Sequence, residues 1–315
     1  MYISAARVCH MYYKVGLTQQ QIASDLGISR IRVSRTLQQA REDRTVQITI
    51  RYDGYFRELE LSLADHYPAV RFIVCDSLDG SPQAILDSVG ATAADYLATS
   101  GLHGTVAVGW GAMMHRVATQ MPVIDRPELT FVPMIGGQGN ARLDVHATQI
   151  SALLAKSSGG SYLPLLAPAV VSSVEEREVI VATAEVGAVL ATAAKADTAL
   201  FSVGAPLSPT SSVRWAGYFT PEEIDFLAAE DARCDVISVC YLNAEGSNCA
   251  VALARRAVAI AQDELLNIPQ RICVAGGSDK HEAVSLALRR GFMTVLVTDE
   301  MTAQSLVAQC AKMAS

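Results

Sequence analysis

The sequence predicts an α/β protein in which a small helix-turn-helix head precedes a long domain built on a mainly parallel sheet. Three observations predict it. Residues 17–42, "LTQQQIASDLGISRIRVSRTLQQARE", read as two short helices on either side of a glycine. From about residue 70, short aliphatic runs alternate with helical segments, the pattern of repeated β-α-β units. Half of the 315 residues are hydrophobic and few are aromatic, which suits a sheet of small aliphatic side chains buried on both faces. Because domains usually run ~100–200 residues, a chain of this length is expected to hold two. They are placed at residues 1–52 and 53–315.

The head is expected to start with a helix over Ser4–Lys14 that turns Ala6, Val8, Met11 and Tyr12 inward and ends at Gly16. Thr18 and Gln21 have the spacing of a capping box, in which each side chain satisfies an amide of the other. Ile22, Ala23 and Leu26 then form a buried face, Gly27 makes the turn, Ile28 plugs the core and Ser29 caps a third helix. In that helix Ile31, Leu37 and, in part, Val33 are the expected apolar positions. Ser29, Arg30, Arg32, Ser34 and Arg35 cluster at its N-terminal end. That end of a recognition helix enters the major groove, where an arginine fork reads guanine and a serine bonds a base or a phosphate. Gln19 and Gln20, at the start of the preceding helix, are placed for phosphate contacts. "TVQITIRY" reads as a following strand, and "YFRELELSLADHY" as a helix with Phe56, Leu59 and Leu63 on one face. That helix serves equally well as an intradomain element or as a dimer contact.

Charge separates the two parts. Residues 1–52 carry eight basic and three acidic side chains, whereas the remainder carries 17 basic and 29 acidic ones. An acidic protein with a basic head is expected to meet double-stranded DNA at that head and nowhere else. The seven cysteines form no C-x-x-C pair and have no histidine at ligand spacing, so reduced thiols are expected and no metal. No run of about 18 apolar residues offers a membrane span, and no secretory leader is read, so a cytoplasmic protein is expected.

In the long domain, "RFIVCDS", "GTVAVGWG", "LTFVPMIGG", "SYLPLLAPAVV", "DTALFSVGAP", "CDVISVCYLNAEGS", "QRICVAGG" and "TVLVTDE" read as strands, the sixth with its turn, and helical segments separate most of them. "REVIVATAEVGAVLATAAKA" reads as largely helical. Glycines recur at the strand ends: Gly109 and Gly111, Gly136 and Gly137, Gly204, Gly276 and Gly277. Ligands of open parallel sheets bind at the carboxyl ends of strands, and glycine lets backbone approach them closely. Tight strand-helix packing gives the same pattern at any one position. In "VAGGSDKHEA", Ser278 or Asp279 can cap the helix and Lys280 can reach a phosphate or a sugar hydroxyl.

"YYKVGLTQQQIASDLGISRIRVSRTLQQARE" followed by "VQITI" resembles the head of the SorC family of bacterial sugar-responsive regulators. The resemblance continues in order through "VGWGAMM", "VPMIGG", "DVISVCYLNAEG" and "QRICVAGGSDKHEAVSLALRRGFMTVLVTDEMTA", and so covers nearly the whole chain. It implies an effector domain similar to phosphosugar isomerases without retained catalysis, no cofactor, tetramers, and effectors that are sugars, polyols or their phosphates. By matching motifs, it carries an effector site onto Gly109, Trp110, Gly111, Ala112, Met113 and Met114, then Gly136, Gly137, Asp235 and Lys280. His146 and Gln149 follow the Gly-Gly turn as further candidates. One departure stands out. Members often have threonine in or just after the G-W-G-x turn, where its hydroxyl helps hold phosphate, and here Met113 and Met114 stand there, followed by His115 as an alternative donor. That leaves an unphosphorylated polyol open as the effector. The rival expectation is a sugar-phosphate isomerase-like enzyme with a fused head, against which no acid/base pair is evident at the strand ends.

Overall fold

Side-chain caps set the helix ends in the N-terminal part of the chain. The computed structural model describes residues 4–43, 45, 46, 48, 55–137, 143–215 and 219–314, and it separates into two units, Met1–Ile50 and Arg51–Ser315. Helix α1 (Ala5–Cys9) continues as a π-helical turn over His10–Lys14. Before α2 (Gln19–Leu26), the Thr18 hydroxyl accepts from the Gln21 amide at 3.3 Å, and Gln21 Oε1 accepts from the Thr18 amide at 2.9 Å. Gly27 follows at φ +63°, a left-handed position that glycine occupies without a Cβ clash. Ser29 then caps α3 (Arg30–Glu42) by accepting from the Arg32 amide at 3.2 Å.

The three helices close over a core of Val8, Cys9, Ile22, Ala23, Leu26, Val33, Leu37 and Ala40. Two expectations are corrected here. Ala6 is exposed, because Val8 and Cys9 take the inward stripe of α1. Ile31 is 67% exposed, whereas Val33 is fully buried. At 3.6 residues per turn, two residues along a helix rotate by about 200°, so Ile31 and Val33 cannot share a face. The core takes Val33, Leu37 and Ala40, and Ile31 points away. Of the expected strand "TVQITIRY" only Thr45, Val46 and Ile48 are described. Val46 packs on the head core, Ile48 is exposed, and the rest lies outside the described residues.

The second unit opens with α4 (Arg57–His66). Leu63 is fully buried against the main core, Leu59 packs beside it, and Glu60 Oε1 accepts from the Val74 amide at 3.0 Å. The helix is therefore seated on β1 (Arg71–Cys75) as an element of this domain. In chain order there follow α5 (Pro82–Thr99), β2 (Thr105–Val108), α6 (Ala112–Gln120), β3 (Thr130–Pro133), α7 (Ala147–Ser158) and β4 (Ser161–Tyr162). Next come α8 (Val174–Val181), α9 (Ala184–Ala194), β5 (Thr198–Phe201), β6 (Val203–Gly204), α10 (Ser212–Trp215) and α11 (Pro221–Ala229). The chain continues with β7 (Cys234–Val236), β8 (Cys240–Leu242), β9 (Asn248–Cys249), α12 (Val251–Ala254) and α13 (Gln262–Asn267). It closes with β10 (Gln270–Val274), α14 (His281–Arg289), β11 (Val295–Asp299) and α15 (Glu300–Ala314).

Seven strands form one parallel sheet in the order β1-β11-β10-β5-β2-β3-β4. Helices α5, α6 and α7 pack on one face, and α4, α9 and α15 on the other, so the central strands are apolar on both sides. The order contains one reversal that matters. From β2 the chain winds outward to β3 and β4, and from β5 it winds the opposite way to β10 and β11. Strands β2 and β5 are neighbours, so a topological switch point lies between them, where open α/β sheets part to form a crevice.

Four sequence expectations differ from the structure. "DTALFSVGAP" is split at Ser202 into β5 and β6, and "DVISVCYLNAEGS" is a hairpin, not one strand. Together with β9 these segments make a separate antiparallel sheet, β6-β7-β8-β9. The hairpin turn places Ile237 at φ +46° and Ser238 at φ +62°. Asn-Gly or Gly-Gly is the usual signal for such a turn, and neither stands at this one. The long helical segment after residue 173 breaks into α8 and α9 at Ala182 and Thr183. "SYLPLLAPAVV" contributes only Ser161 and Tyr162 to the sheet.

Candidate functional site

On the head, the outer surface of α3 presents Arg30, Arg32, Ser34 and Arg35, all exposed, with no acidic residue in the first turn. Ser29 is exposed as well, although its hydroxyl is engaged as the cap. Gln20 is exposed and Gln19 half-buried at the start of α2. The positive end of the α3 dipole and three guanidinium groups thus share one end of one helix, an arrangement that attracts a polyanion.

In the second unit a cavity of about 470 Å³ opens at the switch point. The turn after β2 supplies Trp110, Gly111, Ala112 and Met113. The exit from β5 supplies Ser202 and Gly204, and that from β10 supplies Gly276 to Lys280. Asp235 and Ile237 enter from the small antiparallel sheet, and Pro82, Ile85 and Leu86 from the start of α5. Gly111 (φ +110°) and Gly277 (φ +101°) stand at the N-terminal caps of α6 and of a short 3₁₀ turn, in conformations that side chains with a Cβ rarely adopt. The cap amides themselves are taken, that of Gly111 by the Val145 carbonyl and that of Gly277 by Asp299 and Thr302, so an anion at either turn would meet the amides that follow the glycine.

Asp235 and Lys280 give the cavity its charge. Asp235 is 4% exposed, and its Oδ1 accepts from the Ser238 amide at 2.7 Å. Burial pushes its carboxyl up to about 7, against the opposing pull of that amide and of Lys280. Burial also lowers the Lys280 ammonium, while Asp279, Cys273 and Asp235 support its charge. Asp279 is held elsewhere, accepting from Thr210 Oγ1 at 2.6 Å and from Ser208 at 3.4 Å, so the serine-threonine loop after β6 is tied across the mouth. Behind the wall, the fully buried Asp299 accepts from the Gly277 amide at 2.9 Å, from the Ser77 hydroxyl at 3.1 Å and from Thr302. A Cβ on Gly276 would sit 2.3 Å from Asp299 Oδ2. Gly276→Ala should therefore displace Asp299 and the turn above it and destabilise the domain by roughly 1–3 kcal/mol. A thermal melt of the variant that overlays the wild type would contradict this.

The expected residues divide into two groups. Trp110, Gly111, Ala112, Met113, Asp235 and Lys280 line the cavity together. The others do not line it. Gly109 lies one step behind, where a Cβ would meet Phe201 Cβ at 3.1 Å. Met114 is fully buried in the core on the α5–α7 side, and His115 is half-buried further along α6. Gly136 accommodates a chain crossing, since its Cβ would lie 2.3 Å from the Pro168 carbonyl oxygen. Gly137 packs against His146, whose Nδ1 would lie 2.9 Å from a Cβ there. His146 itself is buried, which lowers its pKa against the opposing charge of Asp144. Gln149 is exposed on α7. The second Gly-Gly turn thus serves packing, the alternative that strand-end glycines always carry. Residues the motifs did not single out include Pro82, Ile85 and Leu86, Ser202, Ile237 and the 208–211 loop. The visible signal of that loop is the polar run "SPTSS" that begins at Ser208, shortly after β6.

A family model described as "Putative sugar-binding domain" matches residues 55–308, and one described as "Sigma-70, region 4" matches residues 5–43. The chain is 30% identical to the deoxyribonucleoside regulator of Bacillus subtilis (strain 168), over 97% of this chain and 96% of that protein. It is also 30% identical to the transcriptional regulator LsrR of an Enterobacter species (strain 638), over 96% of this chain and 92% of that protein. The crystal structure of the full-length sorbitol operon regulator SorC from Klebsiella pneumoniae superposes with a TM-score of 0.73 at 24% identity, covering 96% of this chain and 98% of the other, and so shares the fold. A helix-turn-helix with an arginine-rich outer face, joined to a sugar-binding domain with a cavity at its switch point, places this chain in the SorC family of DNA-binding transcription regulators.

Proposed function

We propose that the head binds operator DNA through α2 and α3, and that a small polyhydroxylated effector in the switch-point cavity controls that binding. The effector class is a sugar, a polyol or one of their phosphates, and the regulated genes belong to its catabolism. The observation that carries this reading is the composition of the cavity. A half-buried lysine and two uncapped helical turns suit an anion, while Asp235 and the surrounding hydroxyls suit ligand hydroxyl groups. Met113 supplies no hydroxyl where relatives of this family often have one, so the neutral and phosphorylated forms both belong in any test. One head neutralises few phosphates, and the protein therefore acts in the cytoplasm as a homo-oligomer, a tetramer in our reading, that presents several heads to spaced half-sites. The effector shifts operator affinity by binding one arrangement of the assembly better than another. The test is a thermal-shift screen of sugars, polyols and their phosphates, followed by operator gel shifts with each compound that stabilises the protein. Stabilisation by a carbohydrate with a changed gel shift is expected. No stabilisation by any carbohydrate would overturn the effector reading.

One observation favours a second reading. A buried carboxyl with a pKa of about 7 beside a lysine in a cleft is the arrangement an acid/base pair needs, and it was not evident in the sequence. Turnover of a sugar phosphate by the purified protein, abolished in Asp235→Ala, would establish an isomerase-like enzyme. In our reading there is no turnover.

A further inference from the structure

Ile31 is the large apolar side chain that α3 leaves exposed. The head core is complete without it, because Val33, Leu37 and Ala40 fill the inward face of α3 at 3% exposure or less. Ile31 is 67% exposed at the second position of the helix, flanked in sequence by the exposed Arg30 and Arg32. It lies roughly 160° around the helix from Val33 and about 40° from Arg35. Every other exposed residue of α3 is polar or charged. A lone exposed hydrophobe is ordinary on a protein surface. One set among guanidinium groups at the N-terminal end of this helix is different, because the surroundings specify what it meets. A protein partner would bury a wider apolar patch, and the outer face of α3 offers no second apolar side chain. A DNA major groove offers phosphates to the arginines and a single kind of apolar group, the thymine C5-methyl.

We propose that Ile31 packs on a thymine methyl and thereby sets a base preference within each half-site, one that the arginines cannot supply. The inference rests on the reading of α3 as the helix that enters the groove.

The test uses the full-length protein. Bound duplexes are selected from a random-sequence pool, and each thymine of a selected duplex is then replaced singly by deoxyuridine, which keeps the base pair and deletes the methyl. One thymine per half-site is expected where the replacement weakens binding about fourfold, the value of one buried methyl. Ile31→Ala should weaken binding to the thymine duplex by a similar factor and should no longer distinguish thymine from deoxyuridine. Ile31→Val should keep part of the discrimination, and the salt dependence of Ile31→Ala should match the wild type because no phosphate contact is lost. Discrimination that survives in Ile31→Ala, or a wild type indifferent to every thymine methyl, overturns the inference and leaves DNA binding intact. Failure to select any duplex overturns the helix-turn-helix reading and this inference with it.

Discussion

Asp235→Asn should melt at a clearly higher temperature than the wild type at pH 8 and at nearly the same temperature at pH 4. In the folded chain the Asp235 carboxyl keeps its proton up to about pH 7, against an ordinary value of 3.8. Between those two values the native state binds one more proton than the unfolded chain. Its stability therefore falls as pH rises, by roughly 1.4 kcal/mol per unit. Above about pH 7 the penalty is constant at roughly 4 kcal/mol. Asparagine carries no such penalty, and its carboxamide oxygen still accepts from the Ser238 amide that Asp235 now engages at 2.7 Å. Calorimetry at the two pH values checks this, and equal melting temperatures at pH 8 would mean that Lys280 holds the carboxylate ionised. The same titration should appear in ligand binding. Below about pH 7 the cavity contains a neutral Asp235 and Lys280. Above it the ionised carboxylate opposes an anion, so affinity for a sugar phosphate should decline with rising pH in the wild type and not in Asp235→Asn. A neutral polyol should show no such decline.

Removing the arginines on the outer face of α3 should have the largest effect on DNA. Arg32 and Arg35 are exposed, make no salt bridge among those of the described residues, and project from the end of α3 that is positively polarised by its own dipole. An arginine that reads a base edge is worth about 1–3 kcal/mol, so Arg35→Ala or Arg32→Ala should each weaken operator binding about tenfold or more. Neither supports the core, and the thermal melt should be unchanged. Gel-shift titration measures the loss. Unaltered affinity in both variants would remove α3 from the interface.

The head was legible in the sequence because its signals are local. Thr18 and Gln21 form the capping box their spacing announces, and Gly27 turns the chain where expected. The one misplaced side chain of α3, Ile31, shows the limit. Apolarity alone nominated it for the core, and only the helical phase of Val33, Leu37 and Ala40 excludes it. The parallel sheet was legible from its alternating segments, but the second, antiparallel sheet was not. Its turn at Ile237 and Ser238 uses a β-branched residue at positive φ, a strained choice that sequence reasoning does not anticipate and that is typical of functional sites. The strand-end glycines do not share one environment. Gly111 and Gly277 face the cavity, whereas Gly136 and Gly137 are glycines because Pro168 and His146 press against them. Those two circumstances look alike in one dimension.

The edge strand β1 pairs with β11, and Ser77 bonds Asp299 across 222 residues of chain. Such a pairing is slow to form, because so long a loop must close before any contact rewards it. On the ribosome it has a stricter meaning. The head is translated within the first 50 residues and can fold on its own local contacts, long before β10, Lys280 and Asp299 exist. The switch-point cavity is assembled from both extremities of the domain and is the last feature to appear. On the proposed function, a chain released early would carry the part that addresses DNA without the part that listens, so translation to the C-terminus would itself be a condition of regulation.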